Sequence, residues 1–355
     1  MFDEWFHFPD GVGALLYLVG WGAGWLACRG VERLDEAAVV RTTAVSVVVP
    51  CRNEVVNLAE LLPNLKAVLR DDDEIIVVDD NSSDTTATYA ASCGVTVLSS
   101  SALPAGWAGK PHACWQGALR ATKDVLVFLD ADVRIGPSAI DDLLSLLDTH
   151  PDAVVSAMPW HRTGAVVERI SMLFNTVSMM VARFATDEQR RVAYGPFIAV
   201  RREQYLRVGG HSHAEVRGAV VEDLALARVM PSAVARLAGP RQVEYRMYPL
   251  GLRQIIDGWT KNTAIGAVQT PRLSALLIVI WVTSLCGGAL TSVWWYLISL
   301  VQIRVLAKRV GNFGWGSAVL YPLHAAVFVA VALRSVVRSA LVGHVVWRGR
   351  TIATR

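Results

Sequence analysis

Hydrophobic residues are arranged along the chain in two kinds of region. Residues 11–28, 273–303 and 313–333 contain no charged side chain. Residues 44–247 instead carry short apolar runs that turns and charges interrupt, which is typical of an α/β domain. A helix rises 1.5 Å per residue, so each uncharged run is long enough, or nearly so, to cross a bilayer core of about 30 Å. The pattern predicts a water-facing domain between membrane segments.

The charges around residues 11–28 predict the orientation of this first segment. Acidic residues precede it, whereas Arg29, Arg33 and Arg41 follow it. The positive-inside rule then places the N-terminus outside and the following domain in the cytosol. A cleaved signal peptide is the alternative, but its n-region normally carries Lys or Arg. We therefore expect an uncleaved transmembrane helix.

The C-terminal runs leave the number of crossings open. Residues 273–303 exceed one crossing, and Gly287 and Gly288 are candidates for a tight turn within them. Arginines between and after the two runs favour conflicting numbers of crossings, so two or three segments fit. The predicted organisation is an N-terminal transmembrane helix at 1–32, a cytosolic domain at 42–249, an interfacial segment at 250–272, a transmembrane region at 273–340 and a basic tail at 341–355.

Apolar side chains recur at helical spacing over residues 164–184, with charged residues on the rest of the helix surface. This pattern fits a helix packed on a core. It also fits a helix that lies on the membrane surface.

The middle domain shows four buried strands that alternate with helices. Strand-like runs occupy residues 44–50, 74–80, 95–98 and 125–130. This order predicts a mainly parallel sheet with right-handed crossovers. Such sheets bind ligands outside the carboxyl ends of their strands. The polar residues at those ends are Arg52 and Glu54, Asp79 and Asp80, and Asp130 and Asp132.

Composition narrows the function classes. Hydrophobic residues make up 53% of the chain and charged residues 18%, against about 25% charged in typical soluble domains. The net charge of +3 does not indicate a nucleic-acid partner. The middle domain has no GxGxxG and no GxxxxGK[ST], which argues against a dinucleotide-binding oxidoreductase and a P-loop NTPase. Five scattered cysteines indicate a reducing compartment.

The triplet Asp130-Ala131-Asp132 is the sharpest local feature. In an extended chain its two carboxylates point to the same side, where a cation would relieve their repulsion. Oxygen ligands suit Mg²⁺ or Mn²⁺, and such an ion would neutralise a diphosphate. Taken alone, the triplet also fits a solvated turn at a strand end.

An ordered set of motifs carries a family resemblance. They are VVVPCRNE, IIVVDDNSSDTT, GWAGKPHACWQGA, VFLDADV, GPFIAVRREQYLRVGGH, VVEDLALA, GWTKN and a terminal VVWRGRTI. The set resembles the membrane glycosyltransferases of family 2 with the GT-A fold, most closely the branch of carotenoid-acid (4,4'-diaponeurosporenoate-type) glucosyltransferases. The resemblance covers residues 44–267 well. It implies an α/β fold with a mixed, mainly parallel sheet flanked by helices, and transmembrane helices at both ends.

The resemblance also implies roles for single residues. Asp130 and Asp132 would hold Mg²⁺ or Mn²⁺, and Asp223, with Glu222 as second choice, would be the general base. A carboxylate acceptor would be ionised already and would need no strong base. The implied donor-binding residues are Pro50, Arg52, Glu54, Asp79, Asp80, Lys110 and Asp130. The implied acceptor-side residues are Trp107, Gly195, Pro196, His211 and Trp259.

Two features keep alternatives open. Trp107 also fits packing at the base of its loop, and Trp259 also fits an anchor at the lipid surface. Gly258 stands where the family often carries an arginine before the tryptophan. This departure argues against a processive synthase.

We therefore expect an inverting glycosyltransferase in the cell membrane, multi-pass, with a cytosolic catalytic domain. It would move a hexose, with glucose as the leading expectation, from a UDP-sugar to a hydrophobic acceptor such as a carotenoid acid or another lipid. The alternatives are a polyprenyl-phosphate glycosyltransferase and a non-catalytic nucleotide-binding membrane scaffold.

Overall fold

The computed structural model describes residues 11–182, 191–219, 221–341, 344–347 and 350–353. Their contacts divide the chain into two compact units. We call the described part of residues 32–160 and 191–245 the α/β unit. The described part of residues 11–31, 161–182 and 246–353 is the helical unit.

The helices and strands have the following bounds. In chain order the helices are α1 (Gly11–Ala27), α2 (Val55–Val68), α3 (Thr86–Ser92), α4 (Gly109–Arg120), α5 (Ala139–Thr149), α6 (Met172–Ala182), α7 (Arg202–Arg207), α8 (Glu222–Val229), α9 (Leu252–Gln269), α10 (Arg272–Thr291), α11 (Val293–Ala307), α12 (Trp315–Val319) and α13 (Tyr321–Leu341). The strands are β1 (Val45–Cys51), β2 (Glu74–Asp79), β3 (Thr96–Ser99), β4 (Val125–Leu129), β5 (Val133–Ile135), β6 (Ala153–Met158), β7 (Trp160–His161), β8 (Phe197–Arg201), β9 (Ser232–Leu237), β10 (Val243–Tyr245), β11 (His344–Trp347) and β12 (Arg350–Ala353). Two 3₁₀ helices cover Val166–Ser171 and Gly210–Ser212.

A mixed sheet forms the centre of the α/β unit. Among the described residues it has seven strands in the order β3-β2-β1-β4-β8-β6-β9. Strands β3, β2, β1 and β4 are parallel, β8 runs antiparallel to β4 and β6, and β6 is parallel to β9. This topology confirms the predicted mixed, mainly parallel sheet.

Close packing of α4 on the sheet depends on a glycine. A Cβ atom added at Gly117 would lie 2.3 Å from Cγ1 of Val48 in β1. Val48 pairs with Ile76 of β2 on one side and with Phe128 of β4 on the other, and all three side chains are buried. The N-terminal turn of α4 is thereby held near the carboxyl ends of these strands.

The helical unit contains the apolar helices. By length and composition, α10 and residues Tyr321–Arg338 of α13 are able to cross a membrane. Helices α1 and α11 are also apolar but shorter. The predicted helix over residues 164–184 is a 3₁₀ turn followed by α6, and Leu173, Phe174 and Met179 of α6 are buried. Residues 183 and 184 lie outside the described residues.

The structure groups residues 161–182 with the helical unit, whereas the sequence analysis placed them in the 42–249 domain. The reason is a backbone connection that the sequence does not reveal. The N–H of His161 donates to the carbonyl of Val310 at 2.8 Å, and its carbonyl accepts from the N–H of Asn312 at 3.0 Å.

The predicted turn at Gly287 and Gly288 is wrong. Both glycines lie inside α10, and the chain breaks instead at Ser292, whose hydroxyl accepts from the N–H of Trp294 at the start of α11. The two glycines serve packing. A Cβ at Gly287 would lie 3.3 Å from the Tyr17 ring, and one at Gly288 would lie 3.2 Å from Cβ of Trp295.

Helix α1 packs against α10 through a face of small residues. A Cβ at Gly24 would lie 2.4 Å from Cδ1 of Trp281, and one at Gly20 would lie 2.1 Å from Cβ of Ser284. Gln302 strengthens this contact, because it accepts from the Trp281 indole at 2.9 Å and donates to the carbonyl of Trp21 at 2.7 Å. Small residues and interhelical hydrogen bonds are the usual means of helix association in a membrane.

We expect Gly24→Ala to lower the thermal midpoint of the detergent-purified protein, because overpacking costs about 1–3 kcal/mol. The matched control is Gly22→Ala in the same helix, where an added Cβ meets nothing within 4 Å. Equal thermal midpoints for the two variants would contradict this packing of α1.

Candidate functional site

Polar side chains collect at the carboxyl ends of β1, β2 and β4. Cys51, the last residue of β1, pairs with Asp79, the last residue of β2. The next residue of each strand is therefore brought to the same edge. A guanidinium nitrogen of Arg52 donates to the carbonyl of Asp80 at 3.2 Å and lies 3.9 Å from its carboxylate. Asp79 and Asp80 are buried.

Lys110 connects three segments of the chain at this edge. Its ammonium lies 2.7 Å from Oδ1 of Asp130 and 2.7 Å from Oε1 of Glu222. Lys110 belongs to the first turn of α4, Asp130 follows β4, and Glu222 begins α8. One cation thus holds together two carboxylates that would otherwise repel each other.

This arrangement shifts the pKa of each member. Burial alone would lower the pKa of Lys110, but the Asp130 and Glu222 carboxylates hold it well above the usual value. Burial alone would raise the pKa of Glu222, but the Lys110 ammonium holds it below the usual value. Burial raises the pKa of Asp130 in spite of Lys110. Lys110 is therefore charged, and Glu222 is the ionised partner that holds it.

Asp223 is held differently from Glu222. Its Oδ2 accepts from the backbone N–H of Gly195 at 2.6 Å, and its Oδ1 accepts from the N–H of Leu224 at 2.9 Å. Burial and the neighbouring Glu222 charge raise the pKa of Asp223 to about 7. A carboxylate with a pKa near the working pH is suited to general base catalysis.

Comparisons with known proteins identify the family. Residues 46–209 match the family described as Glycosyl transferase family 2. A 4,4'-diaponeurosporenoate glycosyltransferase of Staphylococcus aureus (strain USA300) is 30% identical over 333 residues, which cover 86% of this chain and 88% of the relative. The chain belongs to glycosyltransferase family 2. A second 4,4'-diaponeurosporenoate glycosyltransferase, from Staphylococcus haemolyticus (strain JCSC1435), is 29% identical over 272 residues, which cover 70% of each chain.

A solved structure supports the fold of this family 2 glycosyltransferase. The mannosyltransferase PcManGT from Pyrobaculum calidifontis, in complex with GDP-Man and Mn²⁺, superposes with a TM-score of 0.56 at 18% sequence identity. The alignment covers 91% of this chain and 97% of that one. The likeness confirms the predicted GT-A-type architecture.

The geometry of Asp130 and Asp132 corrects one step of the sequence argument. Strand β4 ends at Leu129, and the N–H of Val133 donates to the carbonyl of Asp130 at 3.2 Å. The triplet is therefore a turn, so strand alternation cannot decide where its carboxylates point. Its oxygen donors still fit Mg²⁺ or Mn²⁺. No set of three or more potential metal-ligating side chains occurs in the described residues, so water and donor oxygens would complete the coordination.

Two other predicted donor-side residues lie on either side of Arg52 in the chain. Pro50 belongs to β1 and is partly buried. Glu54 precedes α2, and its Oε2 accepts from the side-chain amide of Asn57 at 2.7 Å. The negative charge of Glu54 also acts on Asp130. Burial and nearby carboxylates, Glu54 among them, raise the pKa of Asp130. Glu54 thus belongs to the acidic surroundings of the strand ends, and Pro50 lies one residue before the end of β1.

Three predicted acceptor-side residues are engaged in packing. The ring of Trp107 lies edge-on against His112, 5.1 Å between centroids. Nδ1 of His211 lies 2.8 Å from the Tyr205 hydroxyl, and burial lowers the pKa of His211 to about 4. Trp259 belongs to the helical unit and stacks on Phe174 at 4.8 Å. Acceptor-side roles for these residues stay predictions.

Two contacts of the site were not predicted from the sequence. Lys110 and Glu222 were predicted as site residues but not as an ion pair, and Gly195 was predicted on the acceptor side without its bond to Asp223. These partners are far apart along the chain, and no spacing rule connects them. The glycine at position 195 was the available signal, because glycine permits a close approach of the backbone.

The raised pKa of Asp223 makes a prediction for stability. Its ordinary pKa is 3.8, so between about pH 4 and 7 the unfolded chain gives up a proton that the folded protein keeps. Ionisation therefore costs stability as the pH rises. The free energy of unfolding of Asp223→Asn relative to that of wild type should therefore rise by at least about 1 kcal/mol from pH 5 to pH 8, since one pKa unit corresponds to about 1.4 kcal/mol.

Thermal midpoints of the detergent-purified proteins at both pH values measure this gain. The exposed Asp152 provides the control variant Asp152→Asn. If the thermal midpoints of Asp223→Asn and wild type differed by the same amount at both pH values, the raised pKa of Asp223 would be contradicted.

Proposed function

We propose that this protein is an inverting glycosyltransferase of the cell membrane. It transfers a hexose, with glucose as the preferred sugar, from a UDP-sugar to a hydrophobic acid of the carotenoid class. The observation that carries the proposal is the chain of contacts from Asp130 through Lys110 to Glu222 and its neighbour Asp223. These contacts support a site in which diphosphate-binding groups lie beside a candidate base. The two staphylococcal relatives, which are 4,4'-diaponeurosporenoate glycosyltransferases and align over most of the chain, support the acceptor class.

The donor site is assigned to the edge of the sheet. Asp80 and Arg52 face the uracil and ribose, and Lys110 contacts the diphosphate as a point charge. The side chain of Lys110 is 35% exposed, so a phosphate has access to it. Asp130 and Asp132 would hold a divalent ion, which when bound would supply positive charge to stabilise the departing diphosphate.

Asp223 acts as the base in the transfer. An acceptor oxygen attacks the anomeric carbon on the face opposite the diphosphate, and the carbon–oxygen bond to the diphosphate breaks with its electron pair leaving on UDP. An acceptor carboxylate in water would be ionised already and would need no strong base, but a carboxylic acid in apolar surroundings keeps its proton because burial raises its pKa. Asp223, with its pKa of about 7, receives this proton. Glu222 is bound to Lys110, which favours Asp223 over Glu222.

The helical unit is assigned to the membrane. The lengths of α10 and α13 support spanning helices, and the charge pattern supports a cytosolic α/β unit. Helix α9 supports the predicted interfacial segment at 250–272. Leu250 just before it and Leu252 at its first position are exposed, beside Arg253, which is almost fully exposed. Apolar and basic groups together suit a lipid surface.

A donor and acceptor panel on detergent-purified protein tests the proposal. It measures nucleotide release from UDP-glucose, UDP-galactose, UDP-GlcNAc and GDP-mannose, with Mg²⁺, Mn²⁺ or EDTA. The acceptors are a C30 carotenoid acid and a polyprenyl phosphate, and the methyl ester of the carotenoid acid is the control. We expect metal-dependent release from UDP-glucose with the acid only. NMR of the product should show a β-glucosyl ester, since UDP-glucose is the α-anomer.

Other outcomes of the panel would contradict the proposal. Release from any donor only with a polyprenyl phosphate would favour the polyprenyl-phosphate alternative. Binding of UDP and metal without turnover of any donor would favour the scaffold.

Single substitutions separate binding from chemistry. We expect Asp132→Ala to abolish metal-dependent UDP binding. Asp223→Asn should keep that binding and lower kcat by about 10²–10⁴-fold, the usual range for loss of a general base. Calorimetry measures UDP binding and the panel measures kcat, with Asp152→Asn as the control. Full activity of Asp223→Asn would show that the base is assigned wrongly.

A further inference from the structure

The neighbouring residues Gly195 and Pro196 contact both Asp223 and Asp130. The carbonyl of Pro196 accepts from the N–H of Asp130 at 3.0 Å. The N–H of Gly195 donates to Oδ2 of Asp223 at 2.6 Å. Proline has no N–H, so the carbonyl is the one backbone polar group of Pro196, and it is used here. The dipeptide therefore connects the metal-binding turn with the base by backbone groups alone.

The sheet holds this dipeptide in place. Gly195 and Pro196 directly precede β8, whose first residue Phe197 pairs with Leu129 at the end of β4. Phe197 and Leu129 are both buried. The Asp130 turn therefore directly follows β4, and the dipeptide directly precedes β8, at the same end of these two paired strands.

Gly195 leaves the space that the carboxylate of Asp223 occupies. A Cβ atom at this position would lie 2.9 Å from Oδ2, 3.2 Å from Cγ and 3.3 Å from Cβ of Asp223. Any side chain at residue 195 would displace the carboxylate or lengthen its hydrogen bond. The absence of a side chain at residue 195 is therefore required for space, where its backbone meets the carboxylate of Asp223.

We propose that Gly195 and Pro196 are a positioning element that fixes the Asp223 carboxylate relative to the Asp130 turn. They act through Asp223 and Asp130. This inference rests on the proposed function, in which Asp223 is the base. A misplacement of about 1 Å in a catalytic group costs about 10²-fold in rate, so a rigid backbone contact is a suitable device.

The charged and titratable neighbours of Asp223 set the expected pH effect. They are Glu222 beside it on α8, Lys110 on α4 and Tyr194 before Gly195. Burial and Glu222 raise the pKa of Asp223, whereas Lys110 and the Gly195 N–H lower it. A longer Gly195 bond therefore raises the pKa of Asp223 further. The acidic limb of the pH–rate profile then moves to higher pH.

Gly195→Ala is the test, and Gly239→Ala is its matched control. Gly239 also donates its N–H to a side-chain oxygen, Oε1 of Gln242 at 2.8 Å, and a Cβ there would lie 3.1 Å from the same oxygen. We expect Gly195→Ala to bind UDP and metal within about twofold of wild type. Its kcat should fall about 10²-fold, with the acidic limb at higher pH. Gly239→Ala should keep the wild-type kcat and pH profile.

Two results would overturn the positioning element. One is a wild-type kcat and pH profile for Gly195→Ala. The other is an equal loss of kcat in both variants, which would indicate general packing.

If wild type turns over no donor, the proposed function fails, and a double-mutant cycle on thermal midpoints decides the contact itself. Gly195→Ala should then lower the midpoint of wild type more than that of Asp223→Ala. Equal shifts in both backgrounds would overturn the contact.

Discussion

The ammonium of Lys110 is the group on which the site depends. It lies 2.7 Å from the carboxylates of both Asp130 and Glu222, and these residues come from separate parts of the chain. Carboxylates brought together in partly buried surroundings repel each other and are poorly solvated. Without a cation between these carboxylates, their repulsion would drive apart the end of β4 and the start of α8. The same charge is available to a phosphate, because the side chain is partly exposed.

The directions of the strands explain why these residues meet at one edge of the sheet. Parallel strands bring the residues after β1, β2 and β4 to one edge, where their charges meet. Strand β8 runs the opposite way, so the residues before it, Gly195 and Pro196, arrive at that edge as well. The reversal of one strand therefore adds backbone donors and acceptors to an edge of carboxylates. Asp223 has its high pKa because Glu222 and burial act on it together.

Part of this arrangement could be predicted from the sequence. Alternating apolar runs predict the parallel strands, and ordered motifs identify the family and name Lys110, Asp130 and Asp223 as a set. Local rules failed where packing decides. Asp130 and Asp132 lie in a turn and not in a strand, and Gly287 and Gly288 serve helix packing and not a turn. Contacts between distant residues, such as Gly195 with Asp223, depend on the register of β8 against β4.

The decisive measurement is an experimental structure of the full-length Asp223→Asn variant with UDP-glucose and Mn²⁺, in which the substitution slows turnover. We predict Mn²⁺ on the Asp130–Asp132 turn, the diphosphate within hydrogen-bond distance of Nζ of Lys110, and the anomeric carbon open toward residue 223. A nucleotide bound elsewhere on the α/β unit, with Lys110 still held between Asp130 and Glu222, would contradict it.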